Sequence, residues 1–125
     1  AHSYDAIYML YDDGKVMGNL ETMRECGIDI LWDIPPPPMG DVDLAEAKRR
    51  IGDDVTLFGF VDHMNVVTFG TPELIRNTVR EAIQVGAPGG GFILGTSDSI
   101  QDMAPAENVR AYSDAALEFC KYPIS

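Results

Sequence analysis

The sequence has few basic residues, few cysteines and no long apolar run. Nine Lys and Arg residues stand against 20 Asp and Glu, so the formal net charge at pH 7 is -11, and a surface of that sign repels nucleic-acid phosphates and anionic lipid headgroups. No apolar run approaches the roughly 20 residues of a membrane span. The first residues, AHSYD, lack the basic and apolar regions of a secretory signal. These absences predict a cytoplasmic protein that binds neither nucleic acid nor membrane.

The scarcity of cysteine excludes a second class of structure. Cys26 and Cys120 lie far apart in sequence, and neither belongs to a CxxC pair. Each falls in a helical pattern, where a thiol usually serves as a small apolar residue. We therefore expect neither a disulfide nor a zinc site from this pair.

The chain does have a regular alternation of apolar segments. Its 125 residues, 46% of them hydrophobic, can bury a core of ordinary size, so residues 1–125 form one domain or a piece of a longer one. Short apolar runs predict four strands, at Ala6–Tyr11, Ile28–Trp32, Val55–Phe60 and Phe92–Leu94.

Helix signals follow each predicted strand. Val16, Leu20 and Met23 repeat at helical spacing up to Gly27. The later helices begin at a capping box over residues 43–46, at Thr71-Pro72-Glu73 and at Pro105-Ala106-Glu107. The helix that begins at Thr71-Pro72-Glu73 has a predicted buried apolar stripe that includes Leu74. Prolines 35–38 predict a stiff polyproline II connection, and glycines 89–91 predict a flexible turn before the last strand.

Strands that alternate with helices are joined as parallel strands by right-handed crossovers, which predicts an α/β fold. Four such units fit either a small open doubly wound sheet or half of an eightfold barrel. The pattern by itself favours the open sheet slightly, because an open sheet needs no partner.

Four ordered motifs shift this balance toward the barrel. From Gly52 onward the chain reads GDDVTLFGFVDHMNV, FGTPELIRNTVREAI, GAPGGGFILGTSDSI and PAENVRAYSDAA. From about Tyr11 to Tyr122 it resembles the C-terminal portion of the uroporphyrinogen decarboxylase superfamily, which includes methyltransferases that move methyl groups between methylcobamide and coenzyme M. The resemblance implies four βα units that form the C-terminal half of a (β/α)8 TIM barrel, within a longer chain.

A half-barrel leaves its two outer strands, predicted at Ala6–Tyr11 and Phe92–Leu94, without a neighbour. An unpaired strand edge is a liability that proteins cover. A second copy of the chain or the N-terminal half implied by the resemblance would cover both edges, and we predict a homodimer or that missing half as partner.

Polar residues follow the C-terminal ends of all four predicted strands, where parallel barrels build their sites. The candidates for catalysis are Asp13, Asp62, His63 and Asp98. The candidates for binding a small-molecule substrate are Tyr11, Asp12, Asp33, Phe60, Thr96 and Ser97. Such carboxylates can hold a hard divalent metal or keep one carboxyl protonated for acid catalysis. The alternative is that the aspartates cap turns and the aromatic rings fill the core.

The resemblance implies two different chemistries. Methyltransferase relatives bind zinc through an HxCG motif after the first of these strands and a cysteine after the last, but this chain has Tyr11-Asp12-Asp13-Gly14 and Asp98 there. A metal held by Asp13 and Asp98 would be magnesium, calcium or manganese, because carboxylates are harder ligands than thiolates. The decarboxylases use no cofactor, and their substrate carries eight carboxylates, which an acidic barrel mouth would repel.

Three functions follow from these observations. The first is a methyltransferase-like enzyme of one-carbon metabolism that works with a corrinoid protein. The second is uroporphyrinogen decarboxylase activity in porphyrin biosynthesis, with a site completed by the N-terminal half. The third is a non-catalytic binding module. The sequence leaves the substrate and the cofactor open.

Overall fold

The computed structural model describes residues 1–124 and contains one parallel sheet with the strand order β1-β2-β3-β4. The strands are β1 (Met9–Tyr11), β2 (Ile30–Trp32), β3 (Thr56–Val61) and β4 (Phe92–Thr96). The helices are α1 (Leu20–Glu25), α2 (Leu44–Ile51), α3 (Pro72–Gly86) and α4 (Ala106–Phe119). Single turns of 3-10 helix cover His2–Tyr4 and Met17–Asn19, and a π-helical turn covers His63–Thr68. The predicted alternation of four strands and four helices is confirmed.

The helices cover one face of the sheet. Side chains of β3 alternate between half-buried and buried, and its buried Leu57 and Val61 belong to two adjoining apolar cores under the helices. On the opposite face Met9, Tyr11 and Ile93 are 47%, 46% and 41% exposed. A sheet with one covered face and one open apolar face is what part of a barrel presents, since the open face would line the barrel interior.

Local signals placed the helix starts correctly. The Asp43 carboxylate accepts a hydrogen bond from Glu46 N at 2.9 Å, and the Thr71 hydroxyl accepts one from Leu74 N at 3.2 Å. Glycines 89–91 all have positive φ angles, as the predicted turn requires. None of the helices in residues 1–124 combines the length and apolar character of a membrane span.

Some local predictions were wrong. The proline segment is not a continuous polyproline II helix, because residues 37–39 form a turn. Leu74 is 45% exposed rather than buried, since it lies in the first turn of α3. Cys26 and Cys120 are exposed free thiols rather than core residues, because each caps the C-terminus of its helix, where the apolar stripe leaves the core.

Asn108 of α4 is a buried polar residue that the apolar pattern did not reveal. Its side chain is 2% exposed, and its amide nitrogen donates to the carbonyl oxygens of Val67 and Gly70, both at 2.9 Å. The two hydrogen bonds attach α4 to the chain between β3 and α3.

We expect Asn108→Ala to lower the free energy of unfolding by about 2 kcal/mol, because two buried carbonyls lose their donor. Denaturant unfolding of the intact protein measures this, with the exposed neighbour Glu107→Ala as control. Equal stability of the two variants would show that the hydrogen bonds of Asn108 add nothing.

Candidate active site

The carboxyl ends of the four strands meet at one edge of the sheet. Tyr11 and Trp32, the last residues of β1 and β2, are register partners of Phe58 and Ile93, and β3 and β4 continue for three residues beyond that level. In the residues at and just after the ends of the strands, one tyrosine and three aspartates act on one another electrostatically. We call this group, Tyr11, Asp13, Asp33 and Asp98, the acidic cluster.

Asp33 is the most constrained member of the acidic cluster. It is 1% exposed, and its φ angle of 64° lies in the left-handed region, which aspartate adopts more readily than most residues other than glycine and asparagine. Its N–H donates to the Phe58 carbonyl at 3.1 Å. Its Oδ1 atom has no hydrogen-bond partner within residues 1–124. A strained residue with an unpaired buried oxygen is a marker of a functional position.

The sequence after Asp33 explains the unpaired oxygen. An aspartate at the end of a strand usually accepts from the N–H groups two and three residues later. Asp62 does so with Met64 and Asn65, both at 2.8 Å. After Asp33 those two positions are Pro35 and Pro36, which carry no N–H. Asp33 therefore cannot cap the loop that follows it.

Burial raises the pKa of Asp33 to about 7, and the charges of Asp13 and Asp98 act in the same direction, while the Tyr11 hydroxyl lowers it in part. Partial desolvation of the half-exposed Tyr11 side chain, together with the charges of Asp33, Asp98 and Asp13, raises the pKa of Tyr11 to about 12. A carboxyl with a pKa near 7 exchanges its proton at neutral pH, which suits a general acid or base. Tyr11 keeps its proton there.

No ion pair within residues 1–124 includes a member of the acidic cluster. The pairs are His2–Asp29, Arg24–Asp54, Arg49–Glu46, Arg50–Glu21 and Arg76–Glu118. The described residues therefore give the cluster no positive counter-ion of its own.

Three aromatic rings lie side by side on the open face of the sheet, at the register level where β1 and β2 end. The Tyr11 and Trp32 rings meet edge to face with centroids 5.2 Å apart, and the Trp32 and Phe58 rings stack with centroids 5.4 Å apart. We call Tyr11, Trp32 and Phe58 the aromatic row. A cavity of about 320 Å³ is lined by Trp32 and Phe58 of the row and by Asp98 and Ile100, so it joins the row to the acidic cluster.

Asp62, His63 and Ser97 form a separate group of buried polar residues between the ends of β3 and β4. The other carboxylate oxygen of Asp62 accepts from the Asn65 amide at 2.7 Å, so both oxygens are used within the turn. The His63 ring nitrogen Nδ1 lies 3.1 Å from the Ser97 hydroxyl, and His63 is 6% exposed. In this structure the group holds the two strand ends together.

The remaining site candidates are Asp12, Thr96 and Phe60, of which Thr96 lines the same cavity as Trp32, Phe58 and Asp98. Asp12 continues the β1–β2 ladder by donating its N–H to the Trp32 carbonyl at 3.2 Å, and the Thr96 hydroxyl donates to the Asp98 carbonyl at 2.6 Å. Phe60 has a φ angle of 91° and packs against both apolar cores under the helices. Phe60 also lines a cavity with Pro36, Pro37 and Asp41 of the loop after β2, and its role beside a flat ligand stays a prediction.

Asp41 and Gly40 are residues that the sequence did not single out. The Asp41 carboxylate accepts from Val16 N at 2.9 Å and from Met17 N at 3.2 Å, which ties the loop after β2 to the loop that carries Asp13. Two aspartates precede α2, at positions 41 and 43, and a helix start uses one of them as its cap. The presence of a second aspartate beside the helix cap was therefore the sequence signal that could have identified Asp41.

A metal at this site stays a prediction. Within residues 1–124, no three His, Cys, Asp or Glu side chains converge closely enough to hold a metal ion. The carboxylates of Asp13 and Asp98 both influence Asp33, and further oxygen ligands would have to come from outside the described residues.

Comparison with known proteins identifies the family. The sequence model of the uroporphyrinogen decarboxylase (URO-D) family matches residues 1–119. The chain belongs to the uroporphyrinogen decarboxylase family. It is 32% identical over 114 residues to uroporphyrinogen decarboxylase of Trichodesmium erythraeum, which covers 89% of this chain and 29% of that relative.

The methyltransferase-like branch of the family is also represented. The chain is 37% identical over 71 residues to methylated-thiol–coenzyme M methyltransferase of Methanosarcina mazei, covering 57% of this chain and 18% of that protein. The solved structure of a methyltransferase from Methanosarcina mazei matches with a TM-score of 0.78 and 26% identity, over 96% of this chain and 33% of that one. The predicted α/β fold of βα units from a (β/α)8 barrel is confirmed, and the chain spans about a third or less of these relatives' length.

Proposed function

We propose that these residues belong to a methyltransferase-like enzyme of the uroporphyrinogen decarboxylase family, which transfers methyl groups in one-carbon metabolism with a corrinoid protein as partner. The observation that carries the proposal is the structural match over 96% of the chain to a methyltransferase. The identity of 37% to a methylated-thiol–coenzyme M methyltransferase supports the same branch.

The charge of the site also favours this branch over decarboxylation. Three aspartates stand at the strand ends without a basic partner in residues 1–124. A substrate with several carboxylates would meet repulsion there, whereas a neutral or cationic methyl donor would not. The decarboxylase alternative rests on the 32% identity to the Trichodesmium erythraeum protein over 89% of the chain.

Asp33 has the properties of the proton-exchanging group in this reaction. A thiol that receives a methyl group loses its proton, and a thioether that gives up its methyl group leaves a thiolate that can take up a proton. A carboxyl with a pKa of about 7 can accept or return that proton. Tyr11, whose pKa is raised to about 12, stays protonated and can donate a hydrogen bond that orients Asp33 or the substrate.

The test is an assay of methyl transfer between methylcobalamin and coenzyme M by the intact protein. The reaction is monitored through the loss of the methylcobalamin absorption spectrum. We expect turnover by the wild type and a fall of about 100-fold in Asp33→Asn, because a positioned acid or base contributes on that order. Asp53→Asn, an exposed aspartate in the turn before β3, is the matched control and should retain full activity.

Two outcomes would contradict the proposal. Decarboxylation of uroporphyrinogen without methyl transfer would establish the decarboxylase alternative. Absence of both activities in the folded intact protein would support a non-catalytic binding module.

A further inference from the structure

The acidic cluster contains a buried acceptor without a donor and several carboxylates without a counter-ion in residues 1–124. Asp33 is 1% exposed and its Oδ1 atom has no partner in residues 1–124. The prolines that follow it cannot supply an N–H, and Asp13 and Asp98 add two more carboxylates to the same region. A buried carboxyl that lacks a donor is unfavourable unless a bound group supplies one.

The surroundings of the cluster distinguish an organic cation from a metal ion. A hard metal ion needs several converging oxygens and usually keeps bound water, and residues 1–124 contain no such convergence of three acidic, His or Cys ligands. The neighbouring surface is apolar instead. Trp32 and Phe58 line the cavity that Asp98 also lines, and the Tyr11 and Ile93 side chains beside them are 46% and 41% exposed.

Carboxylates beside aromatic rings match the two requirements of a methylated cation. The rings attract the positive charge and contact the methyl groups, and the carboxylates neutralise the charge. A hydrated metal ion would gain little from the aromatic row, and a neutral ligand would leave the negative charge of the three aspartates uncompensated.

We infer that the acidic cluster and the aromatic row together bind a methylated ammonium or sulfonium cation, as the methyl donor of the enzyme. This inference rests on the proposed function and names its substrate class. In the transfer, the bond from the methyl carbon to nitrogen or sulfur breaks, and its electron pair stays on the departing neutral amine or sulfide. The new bond forms from the lone pair of the nucleophile, a reduced corrinoid or a thiolate.

The direct test compares choline with its uncharged carbon isostere, 3,3-dimethylbutan-1-ol, by titration calorimetry on the intact protein. We expect choline to bind at least about tenfold more tightly, since the two ligands differ in the charge that cation–π contacts and carboxylates recognise. Asp98→Asn and Trp32→Leu should each weaken choline binding by about tenfold. Asp53→Asn should not change it, and unfolding midpoints verify that each variant is folded.

The results separate this inference from the proposed function. Equal binding of choline and its isostere, unchanged affinity in Asp98→Asn, or displacement of choline by stoichiometric magnesium would overturn the cation site. Choline binding without transfer of a methyl group from choline or trimethylsulfonium to cob(I)alamin or coenzyme M would support the site and count against the methyltransferase. Methyl transfer from a neutral thioether without cation binding would support the methyltransferase and overturn the cation site.

Discussion

Asp33→Asn should make the intact protein more stable than the wild type at pH 8, although we expect the same change to lower methyl-transfer activity about 100-fold. The native structure raises the pKa of Asp33 from 3.8 to about 7, first because the carboxyl is buried. The ionised carboxylate is therefore unfavourable in the folded state, and a neutral amide of the same shape avoids that cost. Active sites often hold such groups at the expense of stability.

The effect has a defined pH dependence. Between about pH 4 and pH 7 the folded state binds a proton on Asp33 that the unfolded state has released, so the stability of the wild type falls as the pH rises through this window. Below about pH 4 both states are protonated and the contribution of Asp33 is fully favourable. The advantage of Asp33→Asn should therefore be smallest at pH 4 and should reach its full size above pH 7.

A shift of this size corresponds to at most about 4 kcal/mol, and we expect roughly half of that, since local relaxation reduces such penalties. Denaturant unfolding of both proteins at pH 4.5, 6 and 8 gives the difference at each pH, with Asp53→Asn as the exposed control. A stability difference that does not change with pH would mean that Asp33 is ionised in the folded state throughout, as it would be beside a cation.

Gly40→Ala should cause a large loss of stability in the intact protein. A Cβ atom at position 40 would lie 2.5 Å from the carbonyl oxygens of Gly14 and Pro35. Both contacts are to backbone, so no side-chain rotation relieves them. The loop after β2 would have to move away from the loop after β1, and the hydrogen bonds from Val16 and Met17 to Asp41 would stretch.

We expect this change to lower the free energy of unfolding by about 3 kcal/mol, the upper range for overpacking. Methyl-transfer activity should fall with it, because Asp13 follows β1 in one of the displaced loops. Gly18→Ala is the matched control, since a Cβ there meets nothing within 4 Å. If Gly40→Ala unfolded at the same denaturant concentration as Gly18→Ala, the close packing of the two loops would not matter for stability.

Two aspartates show how much of the site can be predicted from the local sequence. Asp33 and Asp62 both follow a predicted strand, and the pattern treats them alike. The structure separates them, since Asp62 uses both oxygens within its own turn and Asp33 keeps one oxygen unpaired. The prolines after Asp33 were a readable signal for this difference, because they remove the N–H groups that an aspartate cap needs.

Phe60 shows where a local rule fails. Alternation along a strand predicts that its ring shares a face with Phe58, but its φ angle of 91° turns the chain and places the ring against the helix-side cores. Alternation describes regular extended backbone, and a residue with a positive φ departs from it.

Local sequence predicts the α/β alternation, the helix caps at Asp43 and Thr71, and the position of polar residues after each strand, since each depends on neighbours within a few residues. The fold is needed to show that the charges of Asp13 and Asp98 act on Asp33 and that the rings of Trp32 and Phe58 stack. Those relations join residues far apart in the chain, and parallel strand register brings them together. Burial then gives Asp33 its raised pKa, which the amino-acid order alone does not contain.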